Sequence, residues 1–416
     1  MNEAKIRMRH LKYFLQLSEQ AESALRGPLQ IKWMARLNDE RDNIRAALDW
    51  ADKTDIEGGL YISGRLERLW QSLDVREGNY WLSTFLQKLE SHAYPRARAR
   101  ALHTHILVLD YLSQVDESQL TAMECVELYR ALGDQRGEAD ILVFGAEKIY
   151  NNAQRTEVFK SALHLFQASG DIWWQARILF RLGWNHSGDE RLAYWAQAII
   201  LFRQAGDWYS LAKVLSSAGS AALLDGNLGQ AQTYLDEATL LNDQLKDKES
   251  KAMLLHTRAQ IAMRRGNYNQ AHRDMQEVLD ITEELGIRMH SLWCHTRLGY
   301  LALCEGNLTE AQDIFAKTAS IFFSDRNDIG VVFNMEGIAG VCIATGKPEN
   351  AARLIGWSDI TREKINDTRP RIEQADVDKV IAACIAKLGE VAFAEMYDKG
   401  QKMSIDEAVK YALRES

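Results

Sequence analysis

The sequence predicts an all-α protein, a superhelical solenoid of about eight stacked helical hairpins with a period of 36–40 residues. Three observations support this. Apolar residues recur at helical spacing along the chain, only four prolines occur in 416 residues, and an internal repeat of 40 residues runs from about 211 to 354. Because one hairpin cannot bury its apolar face alone, neighbouring hairpins must stack.

Columns of small residues define the repeat. Each copy has a glycine and, five residues later, an alanine: Gly226, Gly266, Gly306 and Gly346, then Ala231, Ala271, Ala311 and Ala351. A third column lies upstream: Gly219, Ala259, Gly299 and Ala339. The glycine is expected to take the left-handed conformation that ends one helix, and the small columns allow two helices to approach closely.

A second marker lies at the boundaries between hairpins. It reads Gly133-Asp134, Gly170-Asp171 and Gly206-Asp207, and continues in weaker form as Lys246-Asp247, Gly286-Ile287 and Arg326-Asn327. Its spacing is 36 or 37 residues before position 206 and 40 residues after it. The earlier hairpins are therefore predicted to be shorter and less regular.

These patterns divide the chain into four segments. They are an N-terminal helical cap (1–54), irregular hairpins (55–206), regular repeats (207–365) and a C-terminal helical cap (366–416).

Three local features refine the two ends. One helix is predicted from Pro28 to Trp50. A turn at Gly78-Asn79 is predicted between two helices, and a capping box from Ser404 to Glu407 is predicted to start the last helix.

The regular repeats resemble tetratricopeptide repeats. Gly299, Ala311 and Phe315 stand where that repeat has small, small and aromatic residues, although its usual period is shorter. The resemblance implies a superhelix whose concave face is lined by the first helix of each hairpin.

Both ends of the chain are similar to a more specific family. The elements R-H-x-x-Y-F (9–14), G-P-x-Q-x-x-W (27–33) and D-N-I-R-A-A-L (42–48) resemble the junction after the winged helix of bacterial STAND-type regulatory ATPases. The segments 349–365 and 388–413 resemble the end of the sensor of the same LuxR-type regulators, which include the maltose-regulon activator. The resemblance implies a sensor without the ATPase and DNA-binding parts.

Composition and motifs exclude several kinds of function. The net charge of −8 without a basic stripe argues against direct nucleic-acid binding, and the longest apolar run, 193–202, is too short to cross a membrane. The segment 340–348 lacks P-loop spacing, and His103 and His105 point apart on a helix. We therefore expect a cytoplasmic protein that is not an enzyme and uses no cofactor or metal.

The repeat register selects candidate binding residues on the concave face. They are Arg177, Trp184, Lys213, His256, Gln260, Trp293 and Tyr300. Such aromatic and polar side chains could hold a ligand, but solvated or packing roles would also explain each of them. Five tryptophans lie within 173–208, and the irregular region around 173–220 is where we expect the ligand.

Two functional hypotheses remain. In the first, the chain is a non-enzymatic sensor that binds a small molecule, peptide or protein and regulates an associated ATPase or transcription regulator. In the second, it is a free-standing tetratricopeptide scaffold for protein–protein interaction. A P-loop ATPase encoded immediately upstream would favour the first.

Overall fold

The computed structural model describes residues 3–112, 114–149 and 151–414. Within these ranges the chain forms 23 α-helices, one short 3-10 helix and no β-strand, so the all-α prediction is confirmed. None of the helices in these ranges combines the length and the apolar composition that a membrane crossing requires. The chain divides into two compact units, which are described separately below.

The N-terminal unit comprises Met1–Leu215 and Glu237–Lys248. Its complete helices are α1 (Glu3–Ala24), α2 (Gln30–Asp39), α3 (Arg41–Thr54), α4 (Ile56–Arg65), α5 (Glu67–Leu73), α6 (Val75–Leu86), α7 (Pro95–Tyr111), α8 (Val115–Ala131), α9 (Gln135–Ile149), α10 (Asn152–Ala168), α11 (Ile172–Asn185) and α12 (Gly188–Ala205). The 3-10 helix spans Leu89–Ala93. From α7 onward, successive helices pack against each other as hairpins.

The C-terminal unit comprises Ser216–Asp236 and Glu249–Ser416, and shares α13 (Trp208–Leu224), α14 (Leu228–Leu245) and α15 (Lys248–Arg264) with the first unit. Its own helices are α16 (Tyr268–Leu285), α17 (Arg288–Glu305), α18 (Leu308–Ser324), α19 (Asp328–Ala344), α20 (Pro348–Lys364), α21 (Arg371–Leu388), α22 (Glu390–Gln401) and α23 (Ile405–Arg414). The segment boundaries predicted at 54, 206 and 365 remain predictions.

The turns of the repeat have the predicted left-handed conformation. The φ angles of the four repeat glycines are 85°, 76°, 82° and 78°, in chain order from Gly226 to Gly346. Lys246 and Arg326, at the weaker copies of the second marker, also have positive φ, at 54° and 53°. The left-handed turn therefore also forms at positions without glycine, although a Cβ atom is sterically unfavourable at positive φ.

The small columns bring helices into close contact. A Cβ atom at Gly299 would lie 2.7 Å from the ring of Phe315, and Phe315 and Ala311 are fully buried. Glycine at this position therefore makes room for an aromatic side chain of the neighbouring helix, as the repeat predicts.

Two predictions near the N-terminus are wrong. The helix expected from Pro28 to Trp50 is two helices, because the chain breaks at Glu40 after the weak helix formers Asn38 and Asp39. Gly78 is not in a turn but inside α6.

The true break before α6 is at Asp74, whose carboxylate accepts the N–H groups of Arg76 and Glu77. A Cβ at Gly78 would lie 2.6 Å from Cβ of Trp70. This glycine therefore serves the close approach of a side chain on α5 rather than a turn.

The C-terminal helices agree with the sequence. Ser404 Oγ accepts the N–H of Glu407 at 3.3 Å, and the Glu407 carboxylate accepts the N–H of Ser404 at 2.8 Å. This reciprocal pair is the predicted capping box at the start of α23.

The N-terminal unit is closed by contacts between distant parts of its sequence. Gln30 donates through Nε2 to Asp207 Oδ1 at 2.9 Å and accepts the N–H of Tyr209 at 2.7 Å. Gly206 lies against Pro28 in the same place. Gln30 and Asp207 are 177 positions apart, whereas hairpins in a simple repeat array contact only their neighbours. This closure places α1, α5, α7 and α11 around a common interior.

Candidate functional site

A cavity in the N-terminal unit is lined largely by arginines. It lies where the end of α1, the junction of α4 and α5, α7 and α11 meet, and it contains about 310 Å³ of empty space including its opening. Its arginines are Arg26, Arg65, Arg68, Arg100 and Arg177. Two carboxylates, Glu22 and Glu67, also line it, together with Leu25 and Trp173. The cavity is therefore strongly cationic.

Glu22 pairs with three of these arginines. Its carboxylate lies 2.7 Å from Arg100 Nε, 3.5 Å from Arg65 Nε and 3.8 Å from an Arg26 nitrogen. Burial alone would raise the pKa of Glu22, but Arg100 and then Arg26 hold that pKa below its usual value. One carboxylate thus stabilises several guanidinium groups without neutralising them all.

Asp207 is a second carboxylate that holds side chains of the cavity wall in position. Its fully buried carboxylate accepts hydrogen bonds from Trp173 Nε1 at 2.7 Å, from Arg68 Nη2 at 3.2 Å and from the N–H of Ser210 at 3.0 Å. Burial opposes the charge on Asp207, yet Arg68 and these donors keep its pKa below the ordinary value. The other terminal nitrogen of Arg68, Nη1, is buried and has no hydrogen-bond partner among the described residues.

Trp173 holds two of the guanidinium groups in place. The guanidinium carbons of Arg26 and Arg177 lie 4.8 Å and 4.9 Å from the centre of its indole ring. Cation–π contacts of this kind position a cation without neutralising its charge. Burial lowers the pKa of Arg177 to about 10, and the nearby Arg68 and Arg181 act in the same direction.

His103 and Asp140 lie behind the cavity. His103 Nε2 is 3.7 Å from Asp140 Oδ1, and burial together with the charge of Arg100 lowers the pKa of His103 well below its usual value. Burial raises the pKa of Asp140 to about 7. His105, two residues further along α7, instead contacts Asn79 Oδ1 at 2.9 Å, so the two histidines point apart as the sequence predicts.

The structure places the three predicted residues of the N-terminal unit in different surroundings. Arg177 lines the cavity. Trp184, two turns further along α11, is 52% exposed and rests against the ring of Trp195 at 5.3 Å. Lys213 donates to the hydroxyl of Tyr111 at 3.0 Å. A binding role for all three remains a prediction.

Two of the four predicted residues in the C-terminal unit meet at Phe333. The Trp293 ring lies 5.2 Å from the Phe333 ring, and the Tyr300 hydroxyl donates to the Phe333 carbonyl at 2.7 Å. His256 and Gln260 are half-buried on α15. Trp293 and Tyr300 thus contribute to internal packing, and binding by these four residues remains a prediction.

Sequence reasoning missed most of the cavity. The repeat register does not select Arg26, Arg65, Arg68 or Arg100, although Arg68 is only 8% exposed. Long charged side chains are rarely buried without partners. Because Glu67, Gln71 and Ser72 share α5 with Arg68, the sequence of this helix gives no sign that its arginine is buried.

The fold is that of the tetratricopeptide-like α-solenoid repeat proteins. A solved Rap protein in complex with Competence and Sporulation Factor is similar to this chain, with a TM-score of 0.62 and 14% identity over 87% of this chain and 99% of the other. At this identity the likeness shows the fold alone. Yeast Tom70 is also similar at 14% identity over 97% of this chain and 99% of its own, but its TM-score of 0.30 supports no argument.

Curated relatives match part of this chain. Candidate HTH-type transcriptional regulators of Mycobacterium tuberculosis and Mycobacterium bovis are 27% identical to this chain over 191 residues. The match covers 44% of this chain and only 22% of the length of these relatives. A comparison with protein-family models gives no match.

Proposed function

We propose that this chain is the sensor part of a regulatory protein. In this proposal it binds an effector on its helix faces, and effector binding changes the activity of an associated ATPase or transcription regulator. The helical-hairpin repeat carries the proposal, because stacked hairpins form extended concave surfaces that such proteins use for binding. A ligand can shift the partner only by binding two conformations of the sensor with different affinity.

Two similarities support a regulatory role. The curated relatives are candidate transcriptional regulators, and the Rap protein of similar fold is bound to a factor in its solved structure. The region resembling the junction of STAND-type ATPases corresponds to α1, α2 and α3, the first three helices of the N-terminal unit.

Trp184 provides the most accessible candidate contact. It is a large aromatic side chain, half exposed, and two neighbouring rings, Phe180 and Trp195, restrict its movement. A rigid exposed aromatic loses little conformational entropy when a ligand covers it.

A ligand screen tests this function. The chain is heated with libraries of metabolites and peptides, and a tight ligand is expected to raise the melting temperature. Each hit is then repeated with Trp184→Ala and with the matched control Leu120→Ala, which removes another exposed side chain, 69% exposed, from the same unit. We expect the hit to weaken in the first variant and to persist in the second.

The result also separates the two hypotheses. A hit that is unaffected by Trp184→Ala would contradict the assigned surface. A screen without hits, followed by stable complex formation with a partner protein, would favour the scaffold hypothesis. One observation already supports that alternative: Trp293 and Tyr300, predicted to face a ligand, make aromatic and hydrogen-bond contacts inside the C-terminal unit.

A further inference from the structure

Among the described residues, the arginines of the cavity outnumber the carboxylates beside them. Five guanidinium groups face three carboxylates, those of Glu22, Glu67 and Asp207, which leaves an excess of two positive charges. Counting Asp140 as ionised and Arg181, which lies near Arg177, as cationic leaves this excess unchanged. Because a buried uncompensated charge costs several kcal/mol, this excess needs an explanation.

Three arginines of the cavity are held in fixed positions. Arg26 and Arg177 lie over the indole ring of Trp173, and Trp173 is fixed by its hydrogen bond to Asp207. Arg68 is fixed by the same carboxylate, while its Nη1 lacks a partner among the described residues. Donors that are fixed before a ligand arrives lose little entropy on binding.

Guanidinium groups in this arrangement suit an oxyanion with several acceptor atoms. Each guanidinium offers a planar fork of N–H donors that matches phosphate or carboxylate oxygens. A phosphate monoester carries a charge of about −1.5 to −2 near pH 7 and three acceptor oxygens, whereas one carboxylate carries −1 and two oxygens. The excess of two positive charges therefore matches a phosphoryl group better than a single carboxylate.

We propose that the cavity binds the phosphoryl group of a small effector through Arg26, Arg68 and Arg177. This deepens the proposed sensor function and rests on it, since it names the chemical class of the effector and assigns its recognition to the N-terminal unit. The cavity opens to solvent, so a phosphoryl group held by these arginines would leave the rest of the effector towards the opening. Glu22 and Asp207 then serve as positioning residues that orient the arginines.

Binding of simple phosphates to the full chain tests the proposal. Inorganic phosphate and phenyl phosphate are titrated by calorimetry at constant ionic strength, with sodium chloride as the reference and benzoate as the carboxylate probe. We expect saturable binding of both phosphates, and weaker binding of benzoate. Arg177→Gln and Arg26→Gln should each reduce phosphate affinity about tenfold or more, because each removes charge-assisted hydrogen bonds. The control Arg203→Gln removes an arginine of the same unit that pairs with Glu237 at the surface, and should bind as the wild type does.

Stability measurements make the outcome independent of folding defects. Arg177→Gln is heated with and without phosphate, and we expect no rise in its melting temperature under conditions where phosphate raises that of the wild type. A variant that responds to phosphate as strongly as the wild type overturns the assignment of Arg177. Tighter binding of benzoate than of phenyl phosphate overturns the choice of a phosphoryl group.

Failure here is distinguishable from failure of the sensor function. Absence of phosphate binding, together with a screening hit that depends on Trp184, refutes the cavity proposal and leaves the sensor function standing. Phosphate binding that is lost in Arg26→Gln, with no effect on any regulatory partner, supports the cavity and contradicts the sensor function.

Discussion

Asp207 gives the sharpest test of how the N-terminal unit is held together. It is one of three aspartates that follow a left-handed glycine and cap the next helix. Asp134, Asp171 and Asp207 accept backbone N–H groups at 2.9 Å, 3.3 Å and 3.0 Å. Of these three, Asp207 alone is fully buried and bonded to Gln30, Arg68 and Trp173. Three positions that are alike in sequence therefore differ greatly in what their loss should cost.

The magnitude follows from these contacts. In Asp207→Ala, losing the helix cap costs about 1 kcal/mol, and leaving the buried guanidinium of Arg68 without its carboxylate costs about 3–5 kcal/mol. Because these terms overlap, we expect a total of about 4–5 kcal/mol. Asp171→Ala loses its cap and an ion pair with Arg136, whose side chain is 62% exposed, so it should cost about 1–2 kcal/mol.

Urea unfolding followed by tryptophan fluorescence measures the difference. Nine of the eleven tryptophans lie in the N-terminal unit, so the signal reports mainly on this unit. With an m-value of about 2 kcal/mol/M, Asp207→Ala should lower the midpoint by about 2 M and Asp171→Ala by less than about 1 M.

A second variant identifies the cause of the loss. Adding Arg68→Met to Asp207→Ala removes the stranded charge, so the double variant should recover about 2 kcal/mol relative to Asp207→Ala alone. Equal costs for Asp207→Ala and Asp171→Ala, or a double variant no more stable than Asp207→Ala, would refute the reasoning.

Two further predictions concern the C-terminal unit. Gly400→Ala should lower the free energy of unfolding by about 1–3 kcal/mol, because its Cβ would clash with the backbone carbonyl of Arg353. In the control Gly229→Ala, a Cβ meets only Asn227 Oδ1 at 3.8 Å, so this variant should be as stable as the wild type or slightly more stable. Urea unfolding compares the two variants. Burial lowers the pKa of His256 to about 3, so below pH 6.5 the unfolded chain takes up a proton that the folded chain does not. The free energy of unfolding should fall by about 2 kcal/mol from this group between pH 7 and pH 5, and His256→Gln should remove that part of the slope.

The repeat could be predicted from the sequence because its rules are local. A left-handed turn and a small residue at a helix crossing each depend on a few neighbouring positions, so they recur at a fixed spacing. Gly226 and Gly299 show this, since both have the role that their columns predict. Lys246 shows that the turn survives even when the residue type no longer favours it.

One of the two wrong predictions arose because a glycine has two possible uses. Gly78 followed by Asn79 has the same letters as the repeat turns, but its neighbour is the side chain of Trp70 on α5. A single sequence cannot distinguish a glycine required for positive φ from one required for close packing, because both exclude a Cβ atom. The distinction depends on a contact made by another helix.

The cavity depends on contacts between residues that are far apart in the sequence, and the repeat period does not predict such contacts. Gln30 meets Asp207 across 177 positions, and Glu22 meets Arg100 across 78. The repeat register found Arg177 because it lies on a hairpin helix, but Arg26 follows the first helix and has no counterpart in other units. Because Leu25, Arg26 and Gln30 belong to one short segment, the contacts that close the unit and the contacts that line its cavity are physically linked. A ligand held by Arg26 would therefore also stabilise the contacts of Gln30 with Asp207 and Tyr209. Ligand binding would then raise the free energy of unfolding of the N-terminal unit.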